Sequence, residues 1–68
     1  MTVTINGSRA NLGEQASVVD AIKAAGHDGP MFGIAVALNG QVVVRSEWSD
    51  TPLSDGDRIE VLVAAQGG

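Results

Sequence analysis

Residues 17–26 (SVVDAIKAAG) carry the clearest helical pattern in the chain, and the other segments are arranged around it. Ser17 is a favourable N-cap, and Asp20 stands three residues later, as in a capping box with Asp in place of Glu. Gly26 can adopt the left-handed backbone that ends a helix. The apolar residues at helical spacing are Val18, Ala21, Ile22 and Ala25. The pattern predicts one helix that turns a single apolar stripe toward a core.

Short strand patterns lie on both sides of this helix. Residues 2–5 are all β-branched and alternate between Thr and an apolar residue, which predicts a strand. Residues 9–12 are predicted to form a second short strand before the helix. Asn6-Gly7 and Asn39-Gly40 are two-residue hairpin signals, because both residue types tolerate positive φ. Three further strands are predicted after the helix, at residues 32–38, 41–44 and 58–63, with a single helical turn at residues 46–49.

The element order is therefore β-β-α-β-β-β, which predicts the fold class α+β. One helix covers only one face of a sheet, so the expected architecture is a β-grasp-like roll with a mixed five-stranded sheet. The first hairpin and the last strand are expected at its centre. The first and last strands should run parallel, because the helix provides the crossover that parallel neighbours need.

The uncovered face of this sheet is a candidate docking surface. In the last strand Ile59, Val61 and Val63 share one face by the period of two, and Glu60 and Leu62 share the other. The third strand places its small residues on the same uncovered face. The predicted docking residues are Leu62, Glu60, Ala35 and Ala37. Trp48, the only Trp, is expected in the core because a small domain needs the apolar area that it buries.

Length and composition exclude several classes of function. A chain of 68 residues is one small domain, and an enclosed active site of its own is not expected. The chain has no Cys and one His, so no disulfide, thiolate or Cys/His metal site is available and no catalytic residue is assigned. The net charge of −4 disfavours nucleic acid and anionic membranes as partners. No leader sequence or membrane span is visible, so we expect a cytoplasmic protein. We also expect it to be a monomer when no partner is bound.

The chain ends in Gly67-Gly68 immediately after a strand pattern. The expected organisation is a folded domain at residues 1–63 and a mobile tail at residues 64–68. Gly lacks Cβ and lets another backbone approach closely, so a narrow channel could admit this end. Five residues extend about 16 Å at ~3.3 Å each. We expect the carboxylate of Gly68 to be the reactive group and Ala64, Ala65, Gln66 and Gly67 to thread into a partner.

Three runs in the second half of the chain carry a family resemblance. They are ALNGQVVVRSEW at residues 37–48, TPLSDGDRIE at residues 51–60 and VAAQGG at residues 63–68. With these motifs the chain resembles the ThiS family, the ubiquitin-like sulfur carrier proteins of thiamine biosynthesis. The length and element order fit the whole chain, whereas the specific motifs cover residues 37–68. Val44 stands where the family usually has Pro, and Ala64-Ala65 replaces the commoner Ala-Val.

The resemblance implies a function as a protein co-substrate, not as an enzyme. A ThiF-like enzyme would use ATP with Mg to adenylate the Gly68 carboxylate. Sulfur from a cysteine desulfurase would then convert it to a thiocarboxylate, and a ThiG-like thiazole synthase would accept that sulfur. The chain itself is expected to bind no cofactor and no metal.

Two other readings of the sequence stay open. The chain could carry sulfur in a different pathway, as the small subunit of molybdopterin synthase or as a carrier for cysteine synthesis, since these proteins share the fold and the Gly-Gly end. The motif at residues 45–48 and Gln66 favour ThiS. The chain could also be a β-grasp binding module with an inert tail.

Overall fold

The structure is a computed structural model that describes residues 1–26 and 33–63. In these ranges the strands are β1 (Thr2–Ile5), β2 (Ser8–Asn11), β3 (Ile34–Leu38), β4 (Gln41–Val43) and β5 (Arg58–Val63). The helix α1 (Val18–Ala24) follows β2, and a single 3₁₀ turn, Arg45–Glu47, follows β4. The predicted element order is confirmed.

All five strands form one mixed sheet in the order β2-β1-β5-β3-β4. β1 and β5 are parallel, as the crossover through the helix predicts, and the other neighbours are antiparallel. The prediction that the whole first hairpin is central was wrong. β1 pairs with β2 on one side and with β5 on the other, so β2 is left at the edge and β5 takes the centre.

Both Asn-Gly pairs form the predicted hairpin turns. The φ angles are 51° and 84° at Asn6 and Gly7, and 50° and 85° at Asn39 and Gly40. Positive φ at both central residues gives the turn a twist that matches the flanking strands. The two turns therefore set the strand registers, with Ile5 opposite Ser8 in the first hairpin and Leu38 opposite Gln41 in the second.

The helix begins and ends where the sequence predicts. The backbone N–H of Ser17 donates to Oδ2 of Asp20 at 2.8 Å, which is the acidic half of the capping box. At the other end Gly26 has φ +94°, and its N–H donates to the carbonyl of Lys23 at 2.9 Å. Val18, Ala21 and Ile22 are fully buried. The apolar stripe of α1 thus covers one face of the sheet, which we call the covered face.

The core lies between α1 and the covered face. From the sheet it takes Val3, Ile5, Val36, Ile59 and Val61. Trp48 is 4% exposed, as predicted, and its Nε1–H donates to the carbonyl of Val43 at 2.8 Å. Leu53 also enters the core at 6% exposure. The sequence around Leu53 is typical of turns and did not predict a core residue. The backbone bridge between Ser17 and Pro52, which joins distant parts of the chain, brings this loop against the start of the helix.

The boundaries of several elements differ from the predicted ones. β2 begins and ends one residue earlier than residues 9–12, because the two-residue turn pairs Ser8 directly with Ile5. β4 ends at Val43, and Val44 is the N-cap of the 3₁₀ turn, which begins at Arg45, one position before the predicted residues 46–49. β3 begins at Ile34 within the described residues. The predicted strand residue Phe32 and the predicted loop at residues 27–30 lie outside them.

Candidate functional site

The candidate docking surface lies on the sheet face that α1 leaves uncovered, which we call the open face. Residues directly opposite each other in an antiparallel pair share a face. The register pairs Ala35 with Leu62 and Ala37 with Glu60, so the structure brings all four predicted docking residues together. It also pairs Ala37 with Val42. The open face of β5, β3 and β4 is therefore one continuous patch.

The apolar part of this patch is exposed to solvent. Leu62 is 65% exposed and Val42 is 78% exposed, whereas Val61, adjacent to Leu62 in β5, is only 4% exposed. The two exposed side chains lie on either side of the small residues Ala35 and Ala37 of β3, and an exposed apolar patch of this kind is typical of surfaces that bind a partner. Val42 was missed in the sequence analysis, although its alternation with the partly buried Val43 was the signal that could have found it.

Val63 departs from its predicted environment. It was placed with Ile59 and Val61 on the covered face, and its register opposite Ile34 agrees with that face. Its side chain is nevertheless 55% exposed, at the part of β5 that lies beyond the last pair with β1, Ile5 with Ile59. The last apolar residue of the described chain thus contributes little to the core.

The far end of the open face is basic. Thr4 pairs with Arg9 across the first hairpin and with Arg58 in the parallel ladder. Two of the four basic side chains of this acidic protein therefore flank Thr4, at the opposite end of β5 from Leu62. A docking protein would meet apolar side chains beside the chain end and cationic side chains farther away.

Val61, near the end of β5, is held from the β1 side by Asn6. The side-chain Oδ1 of Asn6 accepts from the N–H of Val61 at 2.8 Å, and its Nδ2 donates to the carbonyl of Val61 at 3.1 Å. The backbone N–H of Asn6 also donates to the carbonyl of Ile59 at 2.9 Å. The amide of Asn6 thus pairs with both peptide groups of a residue in the last strand, as a neighbouring strand would.

Asn39 makes an equivalent contact at the other end of β5. Its Oδ1 accepts from the N–H of Arg58 at 2.9 Å, and its Nδ2 donates to Oδ1 of Asp57 at 3.0 Å. The other oxygen of Asp57 accepts from the N–H of Ser54 at 2.7 Å. Both carboxylate oxygens of Asp57 therefore accept hydrogen bonds that hold the turns on either side of the start of β5.

The predicted reactive and threading residues, Ala64, Ala65, Gln66, Gly67 and Gly68, lie outside the described residues. Within the described ranges no group of three or more His, Asp or Glu side chains could hold a metal ion. None of the described helices is long and apolar enough to cross a membrane. The described residues provide an exposed apolar face and an end of β5 that is hydrogen-bonded on both sides.

Comparison with protein families identifies the chain. The family model described as ThiS family matches residues 3–68, nearly the whole sequence. The chain belongs to the ThiS family. The match includes the Gly-Gly end, and the mixed sheet with one covering helix is the β-grasp fold expected from the resemblance. No curated protein sequence matches the chain.

Two solved structures from Geobacter metallireducens are similar over the whole chain. The crystal structure of the thiamine biosynthesis protein ThiS is 30% identical, with a TM-score of 0.78 and 100% of both chains covered. The solution structure of a thiamine biosynthesis protein is 31% identical, with a TM-score of 0.78, 100% of this chain covered and 88% of that chain. This ThiS-family chain therefore shares its fold with thiamine biosynthesis proteins along its full length.

The two faces of β5 predict opposite responses to truncation of neighbouring side chains. Val61→Ala should lower the free energy of unfolding by about 2 kcal/mol, because it leaves a cavity in the core. Leu62→Ala should change it by less than about 0.5 kcal/mol, because Leu62 lies largely in solvent. Urea denaturation followed by circular dichroism measures both. Equal losses for the two variants would show that the faces are wrongly assigned.

Proposed function

We propose that this protein is a sulfur carrier for thiazole formation in thiamine biosynthesis and that the carboxylate of Gly68 carries the sulfur. The observation that supports this most directly is the ThiS family match, which extends through Gly68. The related structures named as thiamine biosynthesis proteins support the pathway. The absence of Cys from the sequence means that no side-chain thiol is available to carry the sulfur instead.

The proposed docking surface is the open face, with Leu62 and Val42 as its apolar centre and Ala35, Ala37 and Glu60 between and beside them. Burial of Leu62 against a partner would contribute about 1.5–3 kcal/mol, and most of that area is still exposed in the free chain. Because β5 leads into residues 64–68, a protein that binds this face also has the chain end within reach. Docking therefore places Gly68 before any bond is made.

The proposed chemistry takes place on a partner enzyme. The Gly68 carboxylate attacks the α-phosphorus of ATP, pyrophosphate leaves, and the acyl adenylate forms in a ThiF-like enzyme that holds ATP and Mg. The terminal sulfur of a persulfide, formed by a cysteine desulfurase, then attacks the carbonyl carbon and AMP leaves. A thiol cleaves the resulting acyl disulfide, which leaves the sulfur on Gly68 as a thiocarboxylate for a ThiG-like thiazole synthase.

The carrier's own contribution in this scheme is recognition and presentation. Gly67 and Gly68 have no side chains to obstruct a channel, and Ala64, Ala65 and Gln66 provide the reach. The folded domain supplies binding energy that a free pentapeptide lacks. In the proposed scheme the chain is consumed and regenerated as a co-substrate, and it performs no turnover alone.

Mass spectrometry of the intact chain tests the proposed carrier role. Incubation with the adenylating enzyme, Mg-ATP and a sulfur donor should exchange one oxygen of the Gly68 carboxylate for sulfur. The chain lacking Gly68 should keep its fold and melting temperature but fail to support thiazole formation, because its end no longer reaches the adenylation site. An unchanged mass of the full chain would contradict the proposal, as would thiazole formation from the shortened chain.

A charge placed on the open face tests the docking surface. Leu62→Asp should weaken binding to the adenylating enzyme by about tenfold or more, because a carboxylate replaces the apolar contact. Ala24→Asp is the matched control, since it adds the same charge at an exposed position of α1 on the other side of the sheet. Titration calorimetry gives both affinities. Equal affinities for the two variants would place the partner elsewhere.

A further inference from the structure

Asn6 occupies the point at which β5 loses one of its two neighbours. The last pair of the parallel ladder is Ile5 with Ile59, and the chain then turns away into the first hairpin. β5 continues to Val63 and is paired beyond this point only with β3, at Glu60, Val61, Leu62 and Val63. On the β1 side, the next donor and acceptor that Val61 meets are the Nδ2 and Oδ1 atoms of Asn6.

An Asn residue is required here for two independent reasons. Its φ of 51° lies in the left-handed region, which Asn, Asp and Gly tolerate better than other residues. Of these three residue types, only Asn has a side chain that offers both a hydrogen-bond donor and an acceptor. Gly fits the turn without any side-chain bond. Asp keeps the acceptor but has no donor for the carbonyl of Val61.

We propose that Asn6 is a positioning residue for the C-terminal tail, because its amide holds the last residues of β5 against the sheet and fixes where the tail leaves it. This inference rests on the proposed function. Val61 is three residues before Ala64, and without the Asn6 amide the strand end next to the tail is held on one side only, by β3. The open face is held separately, because Leu62 is paired with Ala35 on the β3 side.

This separation predicts a specific kinetic effect. Loss of the Asn6 amide leaves the pairing of Leu62 with Ala35 but removes the bonds of Val61 on the β1 side. The strand end is then held less rigidly in direction, so a docked tail reaches the reactive geometry less often. A misplacement of about 1 Å can reduce a rate by as much as 10²-fold. The reduction therefore falls on kcat for thiocarboxylate formation, with KM for the carrier nearly unchanged.

The second Asn-Gly turn supplies a matched control. Asn39 has the same backbone conformation as Asn6, with φ of 50°, and its side chain holds the opposite end of β5 at Arg58. Asn6→Gly and Asn39→Gly therefore delete the same amide from the same kind of turn, at the two ends of one strand. Asn6→Asp completes the set, since it keeps the turn and the acceptor but puts a charged oxygen in place of the donor to the carbonyl of Val61.

The experiment compares these variants with the unmodified full chain in the reaction with adenylating enzyme, Mg-ATP and sulfur donor. Asn6→Gly should lower kcat by about tenfold with little change in KM, Asn6→Asp should lower it similarly, and Asn39→Gly should leave kcat within about twofold. Amide hydrogen exchange at Val61 should become about tenfold faster in Asn6→Gly and should not change in Asn39→Gly.

Two outcomes would overturn the positioning role. One is a kcat for Asn6→Gly equal to that of the unmodified chain, and the other is an equal loss in Asn6→Gly and Asn39→Gly, which would indicate general destabilisation. If the unmodified chain gains no sulfur, it is the proposed function that fails. In that case, an unchanged rate of amide hydrogen exchange at Val61 in Asn6→Gly would still show that the Asn6 amide does not hold the end of β5.

Discussion

The central position of β5 is the constraint on which the rest of the structure depends. It pairs in parallel with β1 and antiparallel with β3, so the two hairpins, which are distant in sequence, join into one sheet only through this strand. Asn6 and Asn39 extend this pairing beyond the ladders at either end. The last segment of the domain is therefore also its organising strand, and residues 64–68 continue directly from it.

This arrangement divides the side chains of β5 between the core and the solvent. Ile59 and Val61 lie in the core against α1, whereas Leu62 stays on the open face in solvent. A domain of this size has few apolar residues to spare, since it buries only about 60% of the surface of its unfolded chain. Leaving both Leu62 and Val42 exposed costs potential core area, and we attribute this cost to partner binding, which is consistent with membership of the ThiS family.

Local patterns were sufficient to predict most of the fold. The helix with its cap at Ser17, the two Asn-Gly turns and the strand at residues 58–63 depend on interactions among near neighbours, and the structure confirms each. Alternation along the strands also placed Leu62, Glu60, Ala35 and Ala37 on one face.

The features that were missed depend on contacts between distant parts of the chain. The bond between Asn6 and Val61 joins residues that are 55 positions apart, so the turn pattern indicated the backbone of Asn6 but not its amide contact. Leu53 and the edge position of β2 likewise follow from how the elements pack, and Val63 is exposed beyond the last pair of β5 with β1. Residues 64–68, for which the sequence predicts the chemistry, lie outside the described residues.

The central claim is that β5 serves the core with one face and a partner with the other. Chemical-shift mapping on the isotope-labelled full chain, titrated with the adenylating enzyme, measures this directly. We predict that amide signals of Ala35, Ala37, Val42, Glu60 and Leu62 shift or broaden on binding, whereas those of α1 (Val18–Ala24) stay in place. Perturbations concentrated on α1, with the open face unchanged, would contradict the account.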